Sequence, residues 1–449
     1  MATAITLLMM AAIVNLFANL SGSIRNRRAV IELSSTLRQV RQRLARDLAG
    51  CTVPVSDGGL MPWRQRPGEA IGYFEILEGE QSDADPSELL EDRDGDGFAD
   101  GIDVATSIIP GSQLVDPDGP AVTDGRALGD ADDILALTVR SLDDPFVANV
   151  NGERVESNLA EVIWYAAETP PDDATTPDVD ESGGKAGMRT IYRRVMIIAP
   201  WLQPLTGDAA GVVSSHRDPV SGNRVANTLA DLTRREYRFA HEFDPGRADY
   251  DYPHELDMRV VGDSFDPKYA VLNDALALDV RVYDPGAPLF SNAGVVVEPS
   301  DPGWEAAIAS TPVGFGAYCD LGWNNAGTYV PTANSPQTHF QQERQAGWHP
   351  LRPGLYRDDP FTYDTWTWHY ENDGRDQDNR DNDNNVTTGV DEGANGIDDN
   401  DAHGIDDVME RESSPPYPVP LRGVKVILRT YELAARQVRE VSVTHSFVP

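Results

Sequence analysis

Apolar and polar positions along this chain fall into two textures that meet near Val53. From Met1 to Ile24 there is no charged side chain: MATAITLLMMAAIVNLFANLSGSI. A helix of that length rises about 36 Å, enough to cross a hydrocarbon layer of about 30 Å. From there Ile24, Val30, Leu33, Leu37, Val40, Leu44 and Leu48 recur at mostly three- and four-residue steps, the period of an amphipathic helix. Arg25, Arg27, Arg28, Arg38, Arg41, Arg43 and Arg46 fall largely on the other faces, no proline intervenes before Pro54, and Gly50 stands where a helix can stop. The pattern predicts one helix of about 45–50 residues, anchored by its first half and amphipathic in its second. A cleaved secretory signal fits less well, because no Lys or Arg precedes the apolar run and Ser21-Gly22-Ser23 is a poor cleavage site. A buried core helix is the other alternative, and a membrane anchor is the better account.

Beyond Val53, short apolar stretches are separated by Gly, Pro, Asp and Asn. Leu135, Leu137 and Val139 alternate, and Val162–Tyr165 and Ile191–Ile198 predict further strands. Leu276, Leu278, Val280 and Val282 alternate strictly with Ala277, Asp279, Arg281 and Tyr283, predicting a strand with one buried face. Val424, Val426 and Leu428, then Val441, Val443 and Phe447, flank ELAAR as a C-terminal antiparallel hairpin. Few body segments beyond Thr228–Arg238 have helical period. The expected division is 1–50 anchor and packing helix, 51–370 mainly β body, 371–412 acidic insertion, and 413–449 closing hairpin.

Charge sharpens the division. The 449 residues hold 37 basic and 73 acidic side chains, a net of −36. Residues 1–50 have seven Arg against Glu32 and Asp47, a net of +5, so the remainder carries 30 basic and 71 acidic residues, a net of −41. So negative a body argues against nucleic acid or an anionic membrane surface as its partner. Two cysteines exclude a disulfide scaffold or Cys-rich zinc module.

Two acidic tracts carry candidate metal chemistry. DRDGDGFADGID sets Asp92, Asp94, Asp96, Asp100 and Asp103 at loop positions 1, 3, 5, 9 and 12, with Gly97 at 6 and the Phe98 carbonyl at 7. That spacing wraps oxygen ligands around one Ca2+ while glycine makes the turn. Asp103 stands where a bidentate Glu is usual, which implies a weaker site of about 10⁻⁴–10⁻³ M. The loop is similar to those of dockerins and thrombospondin type 3 repeats; the bland alternative is a solvated acidic loop. The second tract, Glu371 to Glu412, has 15 acidic residues against three Arg. Asp376, Asp378, Asp381 and Asp383, then Asp398, Asn400 and Asp406, are spaced for ligation, and the tract has too little apolar content for a core. It is either disordered or organised by Ca2+.

Trp366, Trp368 and Tyr370 share one face of an expected strand, as a glycan- or peptide-stacking platform or, more commonly, as core. Cys51 and Cys319 leave two readings open, a disulfide stapling the helix base to the body or two buried thiols. No catalytic motif stands out. His254-Glu255-Leu256-Asp257-Met258 fails the zinc-protease pattern at its last position, His216 and His241 make no ligand pair, and there is no GxSxG, P-loop or CxxC. The expectation is a non-enzyme.

The apolar start ATAITLLMMAAIVNLFANL, running without a break into a helix that ends RLARDLAGC, resembles the N-terminal helix of type IV pilins and type II secretion pseudopilins. GVKVILRTYELAARQVREVSVTHSFVP resembles the closing strands of the minor, pseudopilin J-like members. Those proteins carry a basic leader, a Gly-Phe-Thr-Leu-type processing site and an early glutamate; none of the three stands here, so the chain is expected to start inside the family's mature helix. The resemblance implies an α+β fold: a long N-terminal helix before a mainly antiparallel β pilin-like body with long Asp-rich insertions. It implies an inner-membrane anchor, a body in the periplasm or an extracellular filament, and other pilin or pseudopilin subunits as partners. On this reading Leu37 and Leu44 pack against neighbouring subunits, and replacing either by Asp leaves the body folded. An exported protein or a surface glycan is a further expected partner, and the alternative function is a membrane-tethered, calcium-dependent adhesin or carbohydrate-binding protein.

Overall fold

Alternating apolar runs bounded by turn residues pair best with their sequence neighbours, and here they build one large antiparallel sheet. The structure is a computed structural model. It describes residues 2–55, 59–60, 70–78, 133–168, 189–202, 205, 211–218, 221, 223–234, 237–239, 267–292, 294–299, 301, 303–324, 329–330, 332, 335–336, 338, 340, 362–366, 420–432 and 437–448; over residues 2–26 only the backbone is described, Met10 excepted. Helix α1 is Ala2–Ala49. The strands are β1 (Phe74–Leu77), β2 (Ile134–Arg140), β3 (Phe146–Val150), β4 (Glu153–Ser157), β5 (Leu159–Glu168), β6 (Arg189–Ile197) and β7 (Ser215–Arg217). They continue with β8 (Arg224–Ala226), β9 (Ala270–Asn292), β10 (Val295–Val297), β11 (Gly314–Cys319), β12 (Thr362–Asp364), β13 (Gly423–Glu432) and β14 (Gln437–Ser446).

The main sheet runs β12-β1-β2-β5-β6-β9-β13-β14, with β10 and β11 also paired to the long β9. Every pairing between these named strands is antiparallel. β3–β4 and β7–β8 are separate two-stranded ribbons. The β3–β4 turn is Asn151-Gly152, both at positive φ (51° and 86°), the conformation that suits strand twist in a two-residue hairpin.

One sheet face takes α1. Leu37, Val40, Leu44 and Leu48 are buried with Phe74, Ile76, Leu135, Leu137, Val162, Val280, Val426 and Phe447. At the helix end the Gly50 carbonyl accepts the Arg140 amide at 2.7 Å. A Cβ on Gly50 would meet the Arg140 carbonyl oxygen at 2.5 Å, so the helix base lies flush on β2 only because that residue is glycine. The opposite face is also covered: Tyr73, Ala136, Ile163 and Tyr165 pack with Leu229, Leu232, Phe239 and Trp366.

Four expectations are corrected. The architecture is a mainly antiparallel β half-barrel with one helix longer than a single turn among the described residues, and an α+β pilin-type fold is not what these strands form. Over Thr228–Arg238 the expected helix is reduced to a 3₁₀ turn, Asp231–Thr233. The Asp231 carboxylate accepts the Thr228 amide and hydroxyl, both at 2.8 Å, and Arg234 turns extended, which ends the turn at once. β9 is covered on both faces, so Asp279 and Arg281, read as its solvent side, are 2% and 4% exposed. Leu37 and Leu44 belong to the body's own core, so Asp at either would put an unpaired charge inside the body rather than spare its fold.

Candidate functional site

Two features have geometry beyond simple packing: the attachment of α1 and a layer of buried charge on the far face of the sheet. At the attachment Asp47, 3% exposed, is the helix's one buried acid among the described residues. Trp164 on β5 and Arg193 on β6 lie directly opposite each other, which brings both to it. The indole Nε1 donates to Asp47 Oδ2 at 2.9 Å, and Arg193 donates in a fork, Nε to Oδ2 and a terminal nitrogen to Oδ1, both at 2.7 Å. A bidentate pair of this kind fixes helix rotation as well as position.

The far-face layer starts at Arg238, which is 0% exposed. It bridges Glu75 of β1 at 3.0 Å and Asp364 of β12 at 2.8 Å, donates to the Leu232 carbonyl at 3.0 Å, and stacks 4.0 Å from the Tyr73 ring. Beside it Glu161 of β5 accepts from the Tyr73 hydroxyl (2.9 Å), the Phe239 amide (3.0 Å) and the Ser214 hydroxyl (2.5 Å). Burial pushes its carboxyl above the usual glutamate range, against the pull of the Ser214 hydroxyl and the Phe239 amide. The chain of bonds continues through Asn227, which donates to Ser214 Oγ at 3.0 Å and meets His216 Nδ1 at 2.6 Å. His216 stacks on Tyr237 at 3.8 Å. The serine thus gives its proton to a carboxylate while the histidine is held by an amide. The arrangement fastens Ser214, Asn227 and Phe239 to the sheet.

A second cluster sits where β1 ends: Glu78, Asp133, Asp279, Arg281 and Asp320, all between 1% and 4% exposed. Arg281 pairs with Asp279 at 2.8 Å and approaches Asp320 at 3.5 Å. None of these buried charges was legible as special in a chain with 73 acidic residues. The available signal was position, since Glu75, Glu78 and Asp133 lie inside or against the apolar runs of β1 and β2.

The calcium ligands expected at Asp92, Asp94, Asp96, Phe98, Asp100 and Asp103, and at Asp376, Asp378, Asp381, Asp383, Asp398, Asn400 and Asp406, lie outside the described residues. Among the described residues no group of three or more His, Cys, Asp or Glu is arranged to hold a metal ion. Nor, among the residues whose side chains are described, which leave out most of 2–26, is any helix long and apolar enough to cross a membrane. Cys51 and Cys319 form no disulfide: Cys51 is half-buried against Val139, and Cys319 is buried on β11 with its thiol pushed well up, first by burial. Trp366 is 1% exposed and its Nε1 donates to the Gly72 carbonyl at 2.7 Å, so it is core rather than platform; Trp368 and Tyr370, like His241 and His254, are outside the described residues.

No protein-family model matches the chain, and no curated protein or solved structure is similar to it.

Proposed function

We propose that this chain is a non-enzymatic structural subunit of a type II secretion or type IV pilus-like filament, anchored at the inner membrane by the apolar start of α1, with its body in the periplasm or the extracellular filament. The reading rests on the stem. α1 is one unbroken helix of 48 residues, yet among its described side chains the buried ones begin at Leu37. Ahead of that point Ile31 is 69% exposed on a helix that continues toward its uncharged start. A helix locked to the body at one end, with Met10 and Ile31 exposed ahead of the attachment, suits assembly through helix–helix packing better than a simple tether, which needs no fixed rotation. Ile31→Asp is expected to abolish co-purification with filaments while leaving the melting temperature of the body unchanged. Normal incorporation of the variant would count against the reading.

Calcium is the proposed structural ion of the two acidic tracts, on the strength of their ligand spacing. Calorimetric titration is expected to show binding with a dissociation constant of about 10⁻⁴–10⁻³ M. At ten times that constant one site adds about 1.4 kcal/mol to stability. An absence of heat and an unchanged melting temperature at millimolar calcium would remove the ion from the proposal.

A further inference from the structure

Strand β14 ends the main sheet, and among the described residues no strand pairs with its outer side. Two bonds fix the direction of its backbone groups. The Phe447 amide donates to the Arg422 carbonyl at 2.8 Å, which continues the register that sets Ser446 opposite Gly423. Residue 447 therefore faces β13, and by the two-residue alternation of an antiparallel ladder so do Val441, Val443 and His445. Glu440, Ser442 and Thr444 turn their amides and carbonyls outward. Arg41 of α1 reaches that outer side, its Nε donating to the Ser442 carbonyl at 3.1 Å, and the carbonyl keeps a second lone pair.

Sheets protect open edges with short strands, bulges, proline or lysine. The opposite edge follows this rule, since β12 has three residues, all buried. β14 does not. Its ten residues pair with β13 without a register shift, include no proline, lysine or glycine, and leave Glu440, Ser442 and Thr444 exposed. α1 indicates what kind of strand fits there. The helix crosses the sheet from β2, where Gly50 bonds Arg140, to β14, where Arg41 bonds Ser442. Its buried face continues forward from Leu37 to Leu33 and Val30 at helical spacing, and these two are only half-buried. Val441 on the same side of β14 is half-buried as well. A strand added beside β14 extends the sheet under this part of the helix. Apolar side chains at every second position would cover Val30, Leu33 and Val441, and polar ones would lie beside Ser442 and Thr444.

We propose that the outer edge of β14, together with the forward part of α1, is a docking groove for an amphipathic extended strand from a neighbouring subunit. The identity of the donor rests on the filament reading; the open edge does not.

Thr444→Pro is the test, because it removes an outward amide and leaves the ladder to β13 intact. The full chain carrying it is expected to keep its melting temperature and to be lost from filaments. In detergent, a short peptide of alternating Thr and Val is the probe. It is expected to slow hydrogen exchange at the Glu440, Ser442 and Thr444 amides of the wild-type chain and to bind Thr444→Pro about tenfold more weakly. Methylating the peptide nitrogens on its ladder side is expected to abolish binding. Slow exchange at these amides without peptide, or equal affinity for the two chains, would overturn the groove. If Thr444→Pro melts early, the methylated peptide decides: affinity equal to that of the plain peptide overturns the groove. Normal entry of Thr444→Pro into filaments that exclude Ile31→Asp would overturn the neighbouring subunit as donor. Normal entry of Ile31→Asp, with peptide binding intact, would instead overturn the filament reading alone.

Discussion

Arg238→Met is expected to destabilise the body by about 3–5 kcal/mol, measured by urea unfolding. The guanidinium is 0% exposed, as are both of its carboxylate partners, Glu75 and Asp364. Methionine has comparable volume, so the loss comes less from a cavity than from two carboxylates left in the core without a cation. The Leu232 carbonyl and the Tyr73 ring face lose their partner as well. Adding Glu75→Gln and Asp364→Asn to the same variant is expected to restore a large part of the loss, because the penalty lies in unpaired charge. A single-variant loss under about 1 kcal/mol would mean that water reaches this layer.

Asp47→Ala is expected to cost about 3 kcal/mol and to free the helix base from the sheet. The substitution removes three hydrogen bonds at once and leaves the Trp164 indole N–H buried without its acceptor. Arg193 is less severely stranded, since its side chain is 17% exposed and can reach water, which places the cost below that of Arg238. Near-ultraviolet circular dichroism of Trp164 reports the attachment and urea unfolding the energy. A variant with wild-type stability and an unchanged tryptophan signal would show that Leu37, Val40, Leu44 and Leu48 hold the stem unaided.

Local pattern carried a good part of the fold. Leu135, Leu137 and Val139 lie in β2, Val162–Tyr165 in β5, and Val424–Leu428 with Val441 and Val443 in the β13–β14 hairpin. A period of two over several residues has few competing solutions, because a one-residue slip exposes a whole buried face. Local pattern failed where the deciding contact is distant. Thr228–Arg238 has helical spacing, yet Arg238 is drawn to Glu75, 163 residues away, and Asp231 bonds back to Thr228 in a turn that stops after three residues. Asp279 and Arg281 alternate like a solvated face, but the sheet's second side is covered and they bury as a pair. Leu37 and Leu44 read as surface for a partner, and the body itself takes them.

The sequence by itself determined the long helix, its sidedness, the main strand positions, the split of charge between stem and body, and the two acidic tracts whose spacing suits calcium. All of these follow from neighbours within a few turns or a few strand residues. Only the tertiary structure decided which charges are inside. Burial depends on what covers a face, and covering elements come from anywhere in the chain: Arg238, Glu75 and Asp364 meet across 126 and 163 residues. In a chain with 73 acidic side chains, location rather than residue type separates a solvated carboxylate from one that must find a cation or a proton.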